Sequence, residues 1–197
     1  MRRSLFMSAV IAAVCSLAAF ADEPAKPKVA TLGAEAPAFT LNDSRDKAVN
    51  LSDFRGKIVV LEWINRDCPI DTRVIDGKRI SAVHDKFKDK VVWLAIDSSA
   101  AHTRADYEKT IEQFKLTYPV LNDAKGTVGH LYGAETTPHM FIINTDGKLV
   151  YKGGIDDDPQ GTKVAPVNYV DKALTELTAG KPVSVAESKP YGCTVKY

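Results

Sequence analysis

The sequence has almost no excess of charge of either sign. Its 26 lysines and arginines stand against 25 aspartates and glutamates, which gives a formal net charge of +1. Proteins that bind nucleic acid normally carry a clear basic excess, so the composition argues against that role. Glycine-rich phosphate loops, internal repeats and coiled-coil heptads are also missing from the sequence. It therefore contains no indication of nucleotide binding, of a solenoid or of a coiled coil.

Cysteine is scarce as well. The chain has three cysteines, Cys15, Cys68 and Cys193, and they are far apart. Because there is no Cys-x-x-Cys-His motif, covalent attachment of a c-type haem is excluded. The remaining composition, 45% hydrophobic and 26% charged residues, is ordinary for a globular protein of this length.

Long apolar runs are absent too, and the run at residues 5–19 is too short for a membrane-spanning helix, which needs about 20 residues. Arg2 and Arg3 precede this run, and Ala19-Phe20-Ala21 follows it. This order is typical of a secretory signal peptide, predicted here as residues 1–21 and cleaved after Ala21. The alternative is an uncleaved N-terminal anchor.

Cleavage would leave 176 residues (197 − 21) and two cysteines, Cys68 and Cys193. An export signal with an even number of cysteines indicates an oxidising compartment in which a disulfide persists. We therefore predict a periplasmic or secreted protein without a membrane span after cleavage. Residues 22–32, rich in proline, lysine and alanine, are predicted to form a flexible linker.

The hydrophobic pattern of the rest alternates between strands and helices. Continuous apolar runs predict buried strands, helical spacing follows Pro69, and Asp146-Gly147 between two apolar runs predicts a hairpin. The predicted strands are 39–41, 48–50, 58–63, 91–96, 118–121, 140–144 and 149–151, and the predicted helices begin near 69, 104, 127 and 167. The alternation of strands and helices implies that the central strands pair in parallel, and the hairpin near the end of the domain adds antiparallel strands. The prediction is an α/β fold with a mixed central sheet and helices on both faces.

Cys68 is the leading candidate for chemistry, because it lies between a predicted buried strand and a helix that begins at Pro69. The N–H groups and dipole at a helix N-terminus stabilise a thiolate, which is the reactive form of cysteine. Arg73 would lower the pKa of the thiol, whereas Asp71 would raise it, so the net direction stays open. The alternative, a buried structural cysteine, is disfavoured by these charged neighbours.

Three segments resemble those of a known superfamily. The segment 60–69, Val-Leu-Glu-Trp-Ile-Asn-Arg-Asp-Cys-Pro, is similar to the strand–cysteine–helix segment of thioredoxin-like proteins. Thr136-Thr137-Pro138-His139 resembles their cis-proline strand, and the hairpin at 39–57 resembles the N-terminal extension of the redoxin branch, the alkyl hydroperoxide reductase/thiol-specific antioxidant family. The resemblance implies a thioredoxin-like fold over residues 33–180, with Pro138 as a cis-proline next to Cys68.

The sequence departs from this family at positions that affect the chemistry. Asp71 replaces the second cysteine of the Cys-x-x-Cys motif, so Cys68 has no local partner thiol. Asn65 replaces the threonine or serine of typical peroxiredoxins, and its amide offers a hydrogen bond in that place. Copper chaperones of this fold use Cys-x-x-x-Cys, but Thr72 stands at the second position here.

Cys193 is the candidate second thiol. It lies in residues 181–197, which are predicted to form an extended C-terminal tail. A sulfenic acid at Cys68 would condense with Cys193 to a disulfide. The other readings are a static disulfide and a bond between two molecules, because sequence alone does not show that the two sulfurs meet.

The resemblance therefore implies a thiol-dependent oxidoreductase that acts on a peroxide or a protein disulfide. The predicted site residues are Cys68, Cys193, Pro138, Arg73 and Asn65. Electrons would come from a thiol reductant protein or a small thiol, with no bound cofactor or metal. The alternatives are a non-catalytic binding module and metal handling through Cys68 and His139.

The acidic run at Asp156–Asp158 is predicted to be a solvated loop, since it lacks the spacing of a calcium site.

Overall fold

The computed structural model describes residues 29–197. The predicted signal peptide, Cys15 and residues 22–28 of the predicted linker lie outside the described residues. Within residues 29–197, no helix is both long and apolar enough to cross a membrane. The division into a domain at 33–180 and a tail at 181–197 stays a prediction.

A seven-stranded sheet forms the centre of the molecule. Its strands are β1 (Thr40–Asp43), β2 (Ala48–Asn50), β3 (Ile58–Trp63), β4 (Val91–Asp97), β5 (Val120–Asn122), β7 (His139–Ile143) and β8 (Leu149–Gly153). They lie in the order β2-β1-β5-β4-β3-β7-β8. Strands β3, β4 and β5 run parallel, whereas β7 is antiparallel to β3 and β8 is antiparallel to β7. The predicted mixed sheet is confirmed, and the predicted N-terminal hairpin is the β1–β2 pair at its edge.

β3 is buried on both sides, as its continuous apolar run predicts, because helices cover both faces of the sheet. Val60 belongs to the core under one face and Leu61 to the core under the other, since successive side chains of a strand point in opposite directions. The helices are α1 (Pro69–Asp76), α2 (Ser81–Phe87), α3 (Arg104–Phe114), α4 (Thr127–Tyr132) and α5 (Tyr169–Thr178), with a short 3-10 helix at Leu51–Phe54. Side chains of α1, α2, α3 and α5 pack in the first core, and those of α4 pack in the second.

Two local sequence features set helix boundaries. Gly77 ends α1, so the apolar pattern after Pro69 belongs to two helices rather than one. Thr103 and Asp106 form the capping box that begins α3.

The predicted extended tail makes defined contacts with the body of the protein. It runs beside β8, where Ser188 N donates to Lys152 O at 3.2 Å. It then forms β9 (Cys193–Thr194), which pairs antiparallel with β6 (Thr136–Thr137). Tyr197 Oη donates to the carbonyl of Ala134 at 2.7 Å.

The prediction of a solvated acidic loop at residues 156–158 was wrong. Asp156 and Asp158 are 2% and 1% exposed. Arg79, which lies between α1 and α2, binds both of them, with each nitrogen–oxygen distance at 2.8 Å. A single guanidinium therefore compensates two buried carboxylates, and the acidic run is a structural ion-pair cluster.

Candidate redox site

A disulfide joins Cys68 to Cys193, which lies 125 positions later in the chain. Their Cα atoms are 5.8 Å apart, within the range that a disulfide bridges. The pairing that the sequence left open is therefore an intramolecular bond. Two separate elements supply the sulfurs, since Cys68 precedes α1 and Cys193 begins β9.

The start of α1 explains the position of Cys68. Cys68 is the N-cap residue, Pro69 is the first helical residue, and the backbone N–H of Asp71 donates to Cys68 Sγ at 3.4 Å. Proline loses nothing at this position, because the first N–H groups of a helix have no partner within the helix. When the disulfide is reduced, the same N–H and the helix dipole would stabilise a thiolate on Cys68.

Cys68 is only 2% exposed, so the prediction that its charged neighbours keep it at the surface was wrong. Asp71 is fully buried as well. Cys68 Sγ lies 3.3 Å from the carbonyl oxygen of Thr137, on β6. Cys193, by contrast, is partly exposed.

The peptide bond before Pro138 is cis, as the resemblance implies. It follows β6, and Thr137 is the direct partner of Cys193 in the β6–β9 ladder. The segment before the proline thus pairs with the tail of the same chain.

The side chains of Asn65 and Arg73 form hydrogen bonds with residues other than Cys68 and Cys193. The Asn65 side chain is 5% exposed; its amide donates to Ser99 Oγ at 3.0 Å, and its oxygen accepts the Asp67 N–H at 2.7 Å. Asn65 also accepts the N–H of Cys68 through its own carbonyl, so it shapes the turn before the helix. The Arg73 guanidinium donates to the carbonyl of Pro159. Catalytic roles for Asn65 and Arg73 stay predictions.

Two carboxyl groups beside this site are buried, and sequence reasoning did not predict a role for Glu62 or the burial of Asp71. Glu62 is fully buried in β3, where its Oε2 accepts hydrogen bonds from Trp93 at 2.7 Å and Tyr118 at 2.9 Å. Burial raises the pKa of Glu62 to about 7, although these two hydrogen bonds act to lower it. One signal was present in the sequence, since Glu62 is the only charged residue in a strand that is otherwise apolar.

Asp71 is the second of these groups. Burial raises its pKa well above the usual value, and the nearby Glu62 carboxylate raises it further. Asp71 Oδ2 accepts the Asn65 N–H at 2.7 Å. Within residues 29–197, Asp71 Oδ1 and Glu62 Oε1 have no hydrogen-bond partner. Burial thus favours the neutral form of Asp71, which reduces its opposition to a thiolate at Cys68.

A histidine bridge supports the loop that leads to Cys68, and it too was missed. His102 Nδ1 lies 2.7 Å from Asp97, which is fully buried, and His102 Nε2 lies 2.9 Å from Asp67. The hydrogen bond to Asp97 raises the pKa of His102 to about 9, against the effect of burial, and Asp67 adds to the increase. The charged imidazole ties the end of β4 to the residue before Cys68.

His139 lies at the start of β7, and its Nδ1 accepts the Glu135 N–H at 3.1 Å. Burial lowers the pKa of His139 to about 4, so the ring is neutral at pH 7. No group of three or more metal-ligating side chains occurs in the part of the chain that the structure describes. His139 is thus a buried polar residue with a satisfied hydrogen bond, and metal handling through Cys68 and His139 stays a prediction.

The sequence from residue 32 to residue 152 matches the model of the AhpC/TSA family. The chain belongs to this family. Among curated proteins, it is similar to the thiol-disulfide oxidoreductase ResA of Bacillus thuringiensis, with 31% identity over 121 residues that cover 60% of this chain and 67% of ResA.

Two solved structures share the architecture of this redoxin. A hypothetical protein from Sinorhizobium meliloti aligns with a TM-score of 0.74 and 25% identity, over 85% of this chain and 94% of that one. An uncharacterized conserved protein from Geobacillus kaustophilus aligns with a TM-score of 0.73 and 28% identity, over 85% and 92% of the two chains. The fold is thioredoxin-like, and the protein is a thiol-based oxidoreductase of the redoxin type.

Proposed function

We propose that this redoxin is an exported thiol-disulfide oxidoreductase whose working redox couple is Cys68–Cys193. The observation that carries the proposal is the bond itself, which joins a helix-capping cysteine to a cysteine on a separate, docked strand. The likeness to a thiol-disulfide oxidoreductase supports the same reaction class.

In the reducing half-reaction, a donor dithiol supplies two electrons. Its thiolate attacks Cys193, the more exposed sulfur, which expels Cys68 as a thiolate at the N-terminus of α1. The second donor thiol then breaks the mixed disulfide and releases Cys193. The donor leaves as a disulfide, and two protons pass to the two cysteines or to the solvent.

In the oxidising half-reaction, the Cys68 thiolate attacks the disulfide of a protein substrate and forms a mixed disulfide. Cys193 attacks Cys68 and releases the substrate as a dithiol. Burial raises the pKa of Asp71 well above its usual value, which weakens the opposition of this carboxyl group to a negative charge on Cys68. Asn65 replaces the threonine or serine of typical peroxiredoxins, but its amide already donates to Ser99. We therefore favour protein disulfides over peroxide as substrates.

The test is turnover of a disulfide substrate with dithiothreitol as the donor, for example the reduction of insulin. We expect Cys68→Ser to abolish turnover, and Cys193→Ser to accumulate a mixed disulfide with the substrate that intact mass detects. Thr194→Ala is the matched control, since the Thr194 side chain is exposed next to Cys193. Full turnover by Cys68→Ser would refute the proposal, and so would the absence of turnover in every form, which is the outcome for a binding module.

Peroxide is tested on the same reduced protein. One equivalent of hydrogen peroxide should oxidise the two thiols much more slowly than an equivalent of a small disulfide. A faster reaction with peroxide would make peroxide the substrate instead.

Export is supported by the signal-peptide pattern of residues 1–21. We expect N-terminal sequencing of the protein from an extracytoplasmic fraction to begin at Asp22. Retention of Met1 on the protein from the cell would contradict export by cleavage.

A further inference from the structure

Residues 191–197 bind the body of the protein as an extended peptide would. Cys193 and Thr194 form a two-residue antiparallel ladder with Thr137 and Thr136. The ladder continues on one side, where Val195 N donates to the carbonyl of Glu135 at 3.0 Å. This is the geometry of strand addition, in which main-chain hydrogen bonds hold a segment and side-chain pockets select it.

Side chains of the segment alternate between contact and solvent. Val195 is 6% exposed and packs in the core around Trp63, whereas Thr194 is exposed. At one end, Tyr191 Oη donates to Asp156 at 2.5 Å. At the other end, the Tyr197 ring stacks on His130 with 3.9 Å between ring centroids. The groove therefore has two aromatic positions, one small apolar pocket and the sulfur of Cys68.

Gly192 makes the close approach in this groove. A Cβ atom at this position would collide with the carbonyl oxygen of Thr137, and the φ angle of +149° is one that residues with side chains rarely adopt. Only glycine fits immediately before the bonded cysteine. The groove thus selects against a side chain here, independently of the disulfide.

We propose that residues 191–197 are an internal ligand in the groove that binds a cysteine-containing segment of the partner protein, and that reduction of the disulfide opens this groove. The proposal rests on the proposed function, in which the partner is a protein with a disulfide. That partner is an extended strand with glycine before its cysteine, an aliphatic residue two positions after it, and aromatic residues flanking both.

Reduction by a donor dithiol breaks the sulfur–sulfur bond and leaves two thiols, as in the half-reaction above. The tail is then held only by its short ladder and a few side chains. An incoming segment competes with it, so the apparent rate of capture equals the rate for an open groove multiplied by the fraction of protein whose groove is open.

The probe is a nonapeptide with the sequence of residues 189–197, whose cysteine is activated as a mixed disulfide with thionitrobenzoate. The Cys68 thiolate attacks the peptide sulfur, forms a Cys68–peptide disulfide and releases coloured thionitrobenzoate. The full-length Cys193→Ser protein is the reference, because its tail can dock but cannot bond. Gly192→Ala added to it undocks the tail, Tyr197→Ala is a second undocking variant, and Thr194→Ala is the matched control.

We expect both undocking variants to capture the peptide about tenfold faster than the reference, as for a groove that is about nine-tenths occupied. The Thr194→Ala control should equal the reference. A peptide that carries alanine in place of its glycine should be captured at least tenfold more slowly by the undocked proteins.

Equal capture rates in docked and undocked proteins would overturn the inference while leaving the proposed function intact. Capture that ignores the glycine would overturn it in the same way, since it would show only an exposed thiol. Failure of every form to capture the peptide would refute the proposed function, and this inference with it.

Discussion

Replacing Glu62 by glutamine should change how stability depends on pH. Glu62 is fully buried, and its pKa rises from 4.5 to about 7 in the folded protein. The unfolded chain therefore loses this proton at a lower pH than the folded protein does. Between these two pKa values the folded state binds more protons, so its free energy of unfolding falls as pH increases.

The magnitude follows from the interval between the two pKa values. About 2.5 pH units at 1.36 kcal/mol each correspond to about 3 kcal/mol of stability lost when the pH rises from below 4.5 to above 7. Glutamine mimics the neutral acid, and its carbonyl oxygen can accept the hydrogen bonds from Trp93 and Tyr118. The variant should therefore lack this loss while keeping the packing of β3.

The assay is urea unfolding of the oxidised protein at pH 5 and pH 8, with the disulfide intact. We expect wild type to lose about 2.5 kcal/mol more than Glu62→Gln between these two conditions. Glu108→Gln, a change of the same kind at an exposed carboxylate on α3, should behave as wild type. If Glu62→Gln and wild type lose stability in parallel, Glu62 is not protonated in the folded state and the reasoning fails.

Two further variants test the ion pairs around the site. Arg79→Met should lower the melting temperature by several degrees, because Asp156 and Asp158 would stay buried without their cation, whereas Arg104→Met on the exposed face of α3 should have little effect. His102→Gln should remove a component of stability that wild type has below pH 6.5 and loses as the pH rises through about 9; unfolding profiles that stay parallel from pH 6.5 to 9 would count against the bridge.

The sequence predicts the sheet and helices well where local signals are strong. The buried run of β3, the start of α1 at Pro69 and the hairpin at Asp146-Gly147 each depend on nearby residues, so they appear at the predicted places. The pairing of Cys68 with Cys193 depends on contacts across 125 positions, and pattern reasoning left it open for that reason.

Charge was the main source of error. A short run of aspartates usually lies in solvent, but Asp156 and Asp158 are buried because Arg79 comes from another part of the chain to bind them. Asp71 shows a related limit, because burial raises the pKa of a carboxyl group that sequence reasoning treats as charged. Residue type predicts charge only when the environment is known.

The arrival of the second sulfur on a docked strand has a thermodynamic consequence. A cysteine one helical turn away has a fixed position, whereas Cys193 reaches Cys68 at an effective concentration that depends on how firmly its strand is docked. Each tenfold change in that concentration shifts the reduction potential of the couple by about 30 mV. Contacts remote from the sulfurs, such as those of Val195 and Tyr197, therefore help to set the reduction potential of the couple, in addition to the properties of the two cysteines.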